Sequence, residues 1–214
     1  MISRVVGNHS FFLLGKIRIC ILIDLYIILS DLKQTTMTNK EFFINSWQRE
    51  TGITAKAIRS LPNDPEKLNT KHHPKFRSPW QIVNHIGPHA RELSQAFTDG
   101  RIDLVNEGNF DLKGPNIYKN LEDAAKSVEE YSVQLIDLIK KTDDNTWMTK
   151  QVAAYWGPMK IMEMPLMQIC WMMHHDTIHH RGQLTSYYRI IGATQPGVYG
   201  PTAEEEEAMM SKSI

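Results

Sequence analysis

Two short segments of this chain carry the residues best suited to chemistry. The first reads His85-Ile86-Gly87-Pro88-His89, and the second, from position 174 to 180, contains four histidines around one aspartate, Asp176. Residues four apart lie above one another on one face of a helix. Imidazole and carboxylate groups are the usual protein ligands of Zn²⁺, Ni²⁺, Mn²⁺ and Fe²⁺. The two segments therefore indicate a site for one divalent metal ion (Zn, Ni, Mn or Fe).

The position of Asp176 and His180 within their segment narrows the choice of ligands. Both continue, at helical spacing, an apolar stripe made by Leu166, Ile169, Met173, Leu184, Tyr187 and Ile191. A buried carboxylate or imidazole costs free energy unless it is paired or coordinated. Both histidines of the first segment, His85 and His89, flank the apolar face of that segment. One of these two imidazoles, together with Asp176 and His180, would bind the metal and leave coordination positions open for water or substrate.

Other histidines of the two segments are also possible ligands. His89 lies four residues after His85, and His175 and His179 form a pair with the same spacing one step around the helix. A single histidine in any of these places is commonly a surface residue or a hydrogen-bonded core group. If no metal binds, the histidines would form a hydrogen-bonded polar layer inside the fold.

Four predicted helices must position these groups. The first spans about 39–61, the second 78–98, and the fourth 165–191, while the third begins after Asn120 with an apolar stripe that reaches Leu138. The segments 100–119 and 143–162 show no strong period and are predicted to be connections. Long helices joined in this way indicate an all-α chain, folded as an antiparallel four-helix bundle.

The first 36 residues differ from the rest and are predicted to be an N-terminal extension outside the fold. The apolar stretch 11–30 is interrupted by Lys16, Arg18 and Asp24, whereas a membrane-spanning helix needs about 18 or more apolar residues with few charges. A capping-box pattern at Thr38 and Glu41 predicts that the folded domain, 37–214, begins nearby.

The composition excludes some classes of function. Lys and Arg number 24, as do Asp and Glu, so the formal net charge is +0. A nucleic-acid-binding protein usually has a basic excess, and we predict no nucleic-acid partner. The two cysteines, Cys20 and Cys170, have no metal-binding spacing and indicate reduced thiols. A membrane partner is not expected, and we predict a cytoplasmic location.

The chain also resembles a known family. The segment His180-Arg181-Gly182-Gln183-Leu184, followed by Tyr188-Arg189 and Gly192, is similar to the signature of the DinB/YfiT-like proteins. In a subset of them, the segment after this helix is similar to Val198-Tyr199-Gly200-Pro201. The resemblance covers about 37–205. It implies a four-helix bundle that holds a metal through one histidine of the second helix and two of the fourth. It also implies a dimer, and some relatives are thiol-dependent transferases.

Carried over residue by residue, the family pattern departs from this sequence at one ligand. His180 matches the histidine before Arg-Gly-Gln, and His85 best matches the ligand of the second helix. Four residues before His180, where the family has histidine, this chain has Asp176. Either Asp176 is a ligand here or coordination has moved to His175 and His179. The apolar stripe favours Asp176 with His180, so we predict that His85, Asp176 and His180 are the metal ligands.

The site and the resemblance together indicate two classes of function. The first is a metal-dependent enzyme, a thiol-linked transferase or a hydrolase that acts on a small molecule, although the sequence identifies no catalytic residue. The alternative is a non-catalytic stress-response protein in which the metal is structural. A second apolar stripe, formed by Met164, Met167, Trp171 and Ile178, is predicted to be buried in a homodimer.

Overall fold

The computed structural model describes residues 37–104 and 117–212 of the chain. Within these residues there are eight helices and three strands: α1 (Asn39–Arg59), α2 (Pro65–Asn69), α3 (Pro79–Ile86), α4 (His89–Asp99), β1 (Arg101–Asp103), α5 (Leu121–Lys141), α6 (Asp144–Thr149), β2 (Gln151–Trp156), β3 (Met159–Pro165), α7 (Leu166–Ile190) and α8 (Ala203–Ser211). The predicted N-terminal extension, with Cys20, lies outside the described residues. The domain boundary at Met37 stays a prediction.

The long helices match the sequence pattern, and their ends are capped as expected. The Asn120 side chain accepts from the backbone N–H of Asp123 at the start of α5. Ser78 and Gln81 form a capping box at the start of α3. α1 packs against α5 and α7, and α3 and α4 pack against α7. Together these segments form the helical core that the apolar stripes predict.

The predicted second helix is divided into two. α3 ends at Ile86 and α4 begins at His89. Pro88 has no backbone N–H and cannot continue the hydrogen-bond ladder of a helix. Gly87 lies against Tyr118: a Cβ at this position would be 2.5 Å from the Tyr118 hydroxyl oxygen, so a larger residue would displace that ring. The break places His85 and His89 on two successive helices.

A small sheet makes the prediction of an all-α chain correct only in part. β1 pairs parallel with β2, Arg101 opposite Ala153, and β2 pairs antiparallel with β3, Val152 opposite Met164. The strands lie in the segments predicted to be connections. They are short, and each depends on a partner distant in sequence or on a tight turn, which periodicity does not reveal. The chain is mostly helical with a three-stranded sheet.

Two apolar clusters make up the core, and a polar layer separates them. One cluster contains the start of α1, α4, the end of α5 and the start of α7, together with Ile102, Val152 and Ala154 of the sheet. The other contains the end of α1, α3, the start of α5 and the end of α7. The buried polar residues of these helices fall between the two: Glu50, Thr54, His85, His89, Glu92, Ser132, His174, Thr177, His180 and Arg181.

The C-terminal segment contains a short helix where the acidic run 204–207 predicts only a solvated tail. α8 is capped by Thr202, whose side chain accepts from the backbone N–H of Glu205 while the Glu205 side chain accepts from that of Thr202. None of the α8 side chains is buried. In the described part of the chain, none of the helices has the length and apolar character that crossing a membrane requires.

Candidate metal centre

The structure brings His85, Asp176 and His180 together in the polar layer. His85 Nε2 lies 3.1 Å from Asp176 Oδ2, and His180 Nε2 lies 3.5 Å from Asp176 Oδ1. The imidazole rings of His85 and His180 meet edge to face with centroids 4.5 Å apart. The contact arises because Asp176 and His180 are one turn apart on α7, which packs against α3.

The distances within this group suit a small cation. One ligand atom from each of the three residues lies within 4.8 Å of the other two. Ligands bound tetrahedrally at about 2.1 Å are about 3.4 Å from one another. The separations of 3.1 Å and 3.5 Å, which end on the two different oxygens of Asp176, are close to that value. The residues present therefore fit a divalent metal ion.

His89 approaches the same carboxylate with a nitrogen that carries no proton. The Thr177 hydroxyl donates to the Met173 carbonyl at 2.9 Å, so its oxygen must accept from His89 Nδ1–H at 2.7 Å. In the neutral ring this leaves a lone pair on Nε2, which lies 3.5 Å from Asp176 Oδ2. Two acceptors that face each other repel, and a cation or a proton between them would remove this repulsion.

His180 is oriented by a neighbouring amide in the same way. Its Nδ1 lies 2.8 Å from Gln183 Oε1, an acceptor, so Nδ1 carries the proton. The Gln183 amide nitrogen in turn donates to His179 Nε2 at 3.0 Å. His180 Nε2 therefore presents its lone pair toward Asp176, with an Arg77 guanidinium nitrogen 3.5 Å away. Outer hydrogen bonds of this kind fix the ring and the tautomer of metal-binding histidines.

Burial keeps the imidazoles of His89 and His180 neutral. Desolvation, aided by the neighbouring His85, lowers the pKa of His89 to about 3. Burial also lowers the pKa of His180, against the opposing effect of its bond to Gln183. Burial alone would raise the pKa of Asp176, but its hydrogen bond with His85 and the adjacent His89 and His180 lower it to about 2. At neutral pH an ionised carboxylate therefore faces neutral rings, which is the protonation state that metal binding requires.

The alternative ligand pair lies apart from this group. His175 and His179 do not join it, and His175 is exposed and packs beside Trp171 with ring centroids 5.5 Å apart. His174 is buried, but its Nε2 lies 2.9 Å from the Ser46 hydroxyl, away from Asp176. Of the alternatives, the structure places only His89 beside the three predicted ligands among the residues it describes.

The residue after His180 belongs to a separate buried cluster. Arg181 donates to the Glu50 carboxylate at 2.5 Å and to the Thr54 hydroxyl at 3.1 Å. The Tyr199 hydroxyl donates to the same carboxylate at 2.7 Å. Arg181 is therefore a salt-bridge residue, whereas Gln183 orients a predicted ligand. Gly182 is not packed closely against a neighbouring element, since a Cβ added there would meet no described atom within 4 Å.

A cavity of about 340 Å³ opens at the predicted ligands. Its described lining combines the four converging residues with two further charged groups and an apolar wall: Arg77, His85, His89, Glu92, Leu104, Met162, Met172, Met173, Asp176 and His180. The volume suits a small molecule. Cys170 does not line it, and burial raises the pKa of that thiol, so it is a packing residue.

Sequence reasoning missed Thr177, Arg77 and Glu92 as parts of the site. Glu92 lies three residues after His89, on the same face of α4, a spacing that could have identified it. Thr177 follows Asp176 and faces the same layer. Arg77 lies in a loop whose course the sequence does not predict.

The sequence of the chain matches a family of known proteins. The family model described as "DinB family" matches residues 35–211. The uncharacterised protein YrdA of Bacillus subtilis (strain 168) is 25% identical over 167 residues, which cover 77% of this chain and 90% of YrdA.

Solved structures share the fold. A DinB-like protein from Bacillus cereus ATCC 10987 has a TM-score of 0.54 with 22% identity, over 74% of this chain and 97% of that one. YfiT from Bacillus subtilis, described as a probable metal-dependent hydrolase with an unusual four-helix bundle topology, has a TM-score of 0.57 with 14% identity, over 72% and 89%. At these identities the likeness concerns the fold alone.

Proposed function

The chain belongs to the DinB family, and we propose that His85, Asp176 and His180 bind one divalent metal ion with which the protein acts on a small molecule. One observation carries the proposal. Neutral imidazoles of His89 and His180, each with its proton held on Nδ1, direct Nε2 lone pairs toward one carboxylate, Asp176. A cation between these acceptors would complete the arrangement.

The ligands and their supports have distinct roles in this proposal. His85 and His180 supply nitrogen ligands, and Asp176 supplies the single negative charge. Gln183 and Thr177 hold the protons of His180 and His89 on Nδ1, so that Nε2 stays available at neutral pH. The two apolar clusters on either side exclude water and strengthen the electrostatic interactions of the layer.

The cavity beside the ligands favours an enzyme. When bound, a divalent metal supplies Lewis acidity that polarises a substrate bond or lowers the pKa of a bound group. Hydrolysis is one candidate reaction, in line with the description of YfiT, and transfer involving a small thiol is the other, as the family resemblance implies. We propose Glu92 as a proton acceptor, because this buried carboxylate lines the same cavity.

His89 favours a second candidate function, a metal that only stabilises the bundle. Its Nε2 lies as close to Asp176 as that of His180 does. If His89 were a fourth protein ligand, a tetrahedral metal would have no open position, which is the arrangement of structural sites. The protein would then be a non-catalytic metal-binding protein.

Metal analysis tests the proposal directly. Protein purified without chelator or nickel resin should contain about one equivalent of metal per chain, and calorimetry should show stoichiometric binding of Zn²⁺, Ni²⁺, Mn²⁺ or Fe²⁺. His180→Ala should abolish stoichiometric binding, because two ligands seldom hold a metal tightly. His175→Ala, which removes an exposed imidazole from the same helix, is the matched control and should bind like the parent. A parent that binds none of the four ions would refute the proposal.

Asp176→Ala separates the two ligand assignments. Loss of binding in Asp176→Ala with retention in His175→Ala supports Asp176 as a ligand. The reverse result would place the ligand pair at His175 and His179. X-ray absorption spectroscopy of the loaded protein would count nitrogen and oxygen ligands and distinguish an open site from a closed one.

A further inference from the structure

A second and larger cavity of about 580 Å³ lies beside the metal centre. It is bounded by the loop before α3 and by the last turns of α7. Its described lining is His72, Lys75, Phe76, Arg77, Ile82, Gln183, Ser186, Tyr187 and Ile190. Arg77 lines both this cavity and the one at the metal centre. Gln183, which orients His180, also lines it.

The loop that carries Arg77 is held in place. The Tyr187 hydroxyl donates to the Arg77 carbonyl at 2.7 Å and accepts from the backbone N–H of His72 at 3.4 Å. On the other side of Arg77, the capping box of Ser78 and Gln81 fixes the start of α3. The Arg77 side chain therefore projects from a backbone anchored on both sides, which suits a binding residue more than a solvated surface charge.

The charges around the two cavities favour an anion. Arg77 is always protonated, and Lys75 adds a second positive charge to the larger cavity. None of the described residues that line the larger cavity is acidic. At the metal centre, Asp176 and Glu92 would together offset the charge of a divalent ion, so the positive charge available to an anion comes from Arg77 and Lys75. Phe76, Tyr187 and Ile190 add apolar surface between the cationic groups.

We propose that the substrate carries a carboxylate or phosphate group that Arg77 and Lys75 bind in the larger cavity, while its reacting end reaches the metal centre past Arg77. The position of the reacting end rests on the proposed function, whereas the anion site itself does not. The guanidinium of Arg77 matches a carboxylate or phosphate through paired N–H donors. An apolar middle part of such a molecule would pack against Phe76 and Tyr187.

The test measures anion binding apart from metal binding. Succinate and inorganic phosphate are titrated into chelator-treated, metal-free protein, and binding is followed by NMR chemical shifts of the Arg77 and Tyr187 amides. We expect saturable binding that Arg77→Gln weakens at least about tenfold, as loss of a charge-assisted pair should. Arg77→Lys should retain part of the affinity, and Lys75→Gln should weaken it several-fold. Lys126→Gln removes an equal charge from α5, which lines neither cavity, and should change nothing.

Stronger binding of phosphate than of succinate identifies a phosphate-bearing substrate, and the reverse identifies a carboxylate. Binding unaffected by Arg77→Gln, or lost equally in Lys126→Gln, overturns the anion site. Arg77→Gln should still bind metal with the parent stoichiometry. If no metal binds but anion binding depends on Arg77, the proposed function fails while the anion site stands.

Discussion

Helix α7 separates two buried polar clusters that differ in how their hydrogen-bonding groups are matched. On one side, Arg181 donates to the Glu50 carboxylate and carbonyl, to Thr54 and to Tyr199. On the other side, one residue earlier in the chain, His180 and its neighbour His89 direct lone pairs at Asp176. In the first cluster donors meet acceptors throughout. In the second, His85 shares a hydrogen bond with Asp176, while the lone pairs of two further imidazoles are directed at the same carboxylate.

This difference indicates which of the two polar clusters requires a bound ion to satisfy its hydrogen-bonding groups. A buried ion pair with good hydrogen bonds is complete, and removing one partner leaves an uncompensated charge. A cluster of lone pairs is incomplete by itself and gains stability when a cation binds. Adjacent residues of one motif, His180 and Arg181, therefore serve different ends: one faces a metal centre, and the other ties α7 to α1 and the C-terminal segment.

The largest expected effect comes from removing Arg181. Arg181→Met should lower the free energy of unfolding by about 3–5 kcal/mol, because Glu50 would stay buried without its counter-charge. Metal stoichiometry should not change. Asp176→Asn, measured in the same urea titration with chelator present, should change stability by less than about 1 kcal/mol. An equal loss in both variants would show that protein groups already satisfy Asp176 and would remove the contrast between the clusters.

The next effect tests whether His89 takes part in the second cluster. Thr177→Val removes the acceptor that holds the His89 proton on Nδ1, and should weaken metal binding about 10–100-fold if His89 is a ligand. Thr177→Ser keeps the hydroxyl and should restore binding. Gln183→Met tests His180 in the same way. An unchanged affinity in Thr177→Val would leave His89 out of the coordination sphere and favour the open, catalytic site.

A smaller effect concerns pH and a histidine that belongs to neither cluster. Burial, mainly, lowers the pKa of His174 from 6.5 to about 4. On acidification, His174 of the unfolded chain takes up a proton before His174 of the folded chain does. The folded state is therefore not destabilised by this group above pH 6.5, and it loses stability as the pH falls from 6.5 toward 4. Metal-free protein should lose up to about 1.4 kcal/mol per pH unit from this group. Urea titrations between these pH values should show a shallower slope in His174→Asn. An unchanged slope would assign the acid sensitivity to other groups.

Parts of this comparison could be predicted from the sequence, because helical periodicity is local. Asp176 and His180 continue an apolar stripe, and that pattern predicts that both face the interior. His180 is buried, whereas the Asp176 side chain is 38% exposed. The pairing with His85 in particular is what the family resemblance implies. The role of His89 is harder to predict, since the predicted second helix runs unbroken through Pro88. The pairing of Glu50 with Arg181 joins residues 131 apart in the chain, and no local pattern indicates it.

Other elements escape prediction for related reasons. Strand β1 has three residues and pairs with β2, about 50 positions later, so its formation depends on contacts rather than on alternation. Helix α8 does leave a local signal, since Thr202 and Glu205 have capping-box spacing, but the acidic run within it is equally typical of a solvated tail.

The smallest expected effect concerns a third surface, the stripe formed by Met164 near the end of β3 and by Met167, Trp171 and Ile178 of α7. The first three pack partly against the apolar core, and Trp171 contacts Phe43 with ring centroids 5.2 Å apart. A charge at Trp171 would therefore damage the fold, so Ile178→Glu is the sharper test of the predicted homodimer.

Sedimentation should show a dimer for the parent and a monomer for Ile178→Glu, because burying an unpaired carboxylate opposes association. Stability of the metal-free chain should change by no more than about 0.5 kcal/mol, and metal stoichiometry should stay the same. Val133→Glu, at an exposed position of α5, is the control and should remain dimeric. A parent that sediments as a monomer at micromolar concentration would contradict the homodimer. If Ile178→Glu lost the metal together with the dimer, the dimer contact would support the metal centre. The comparison between the two polar clusters would then have to take the partner chain into account.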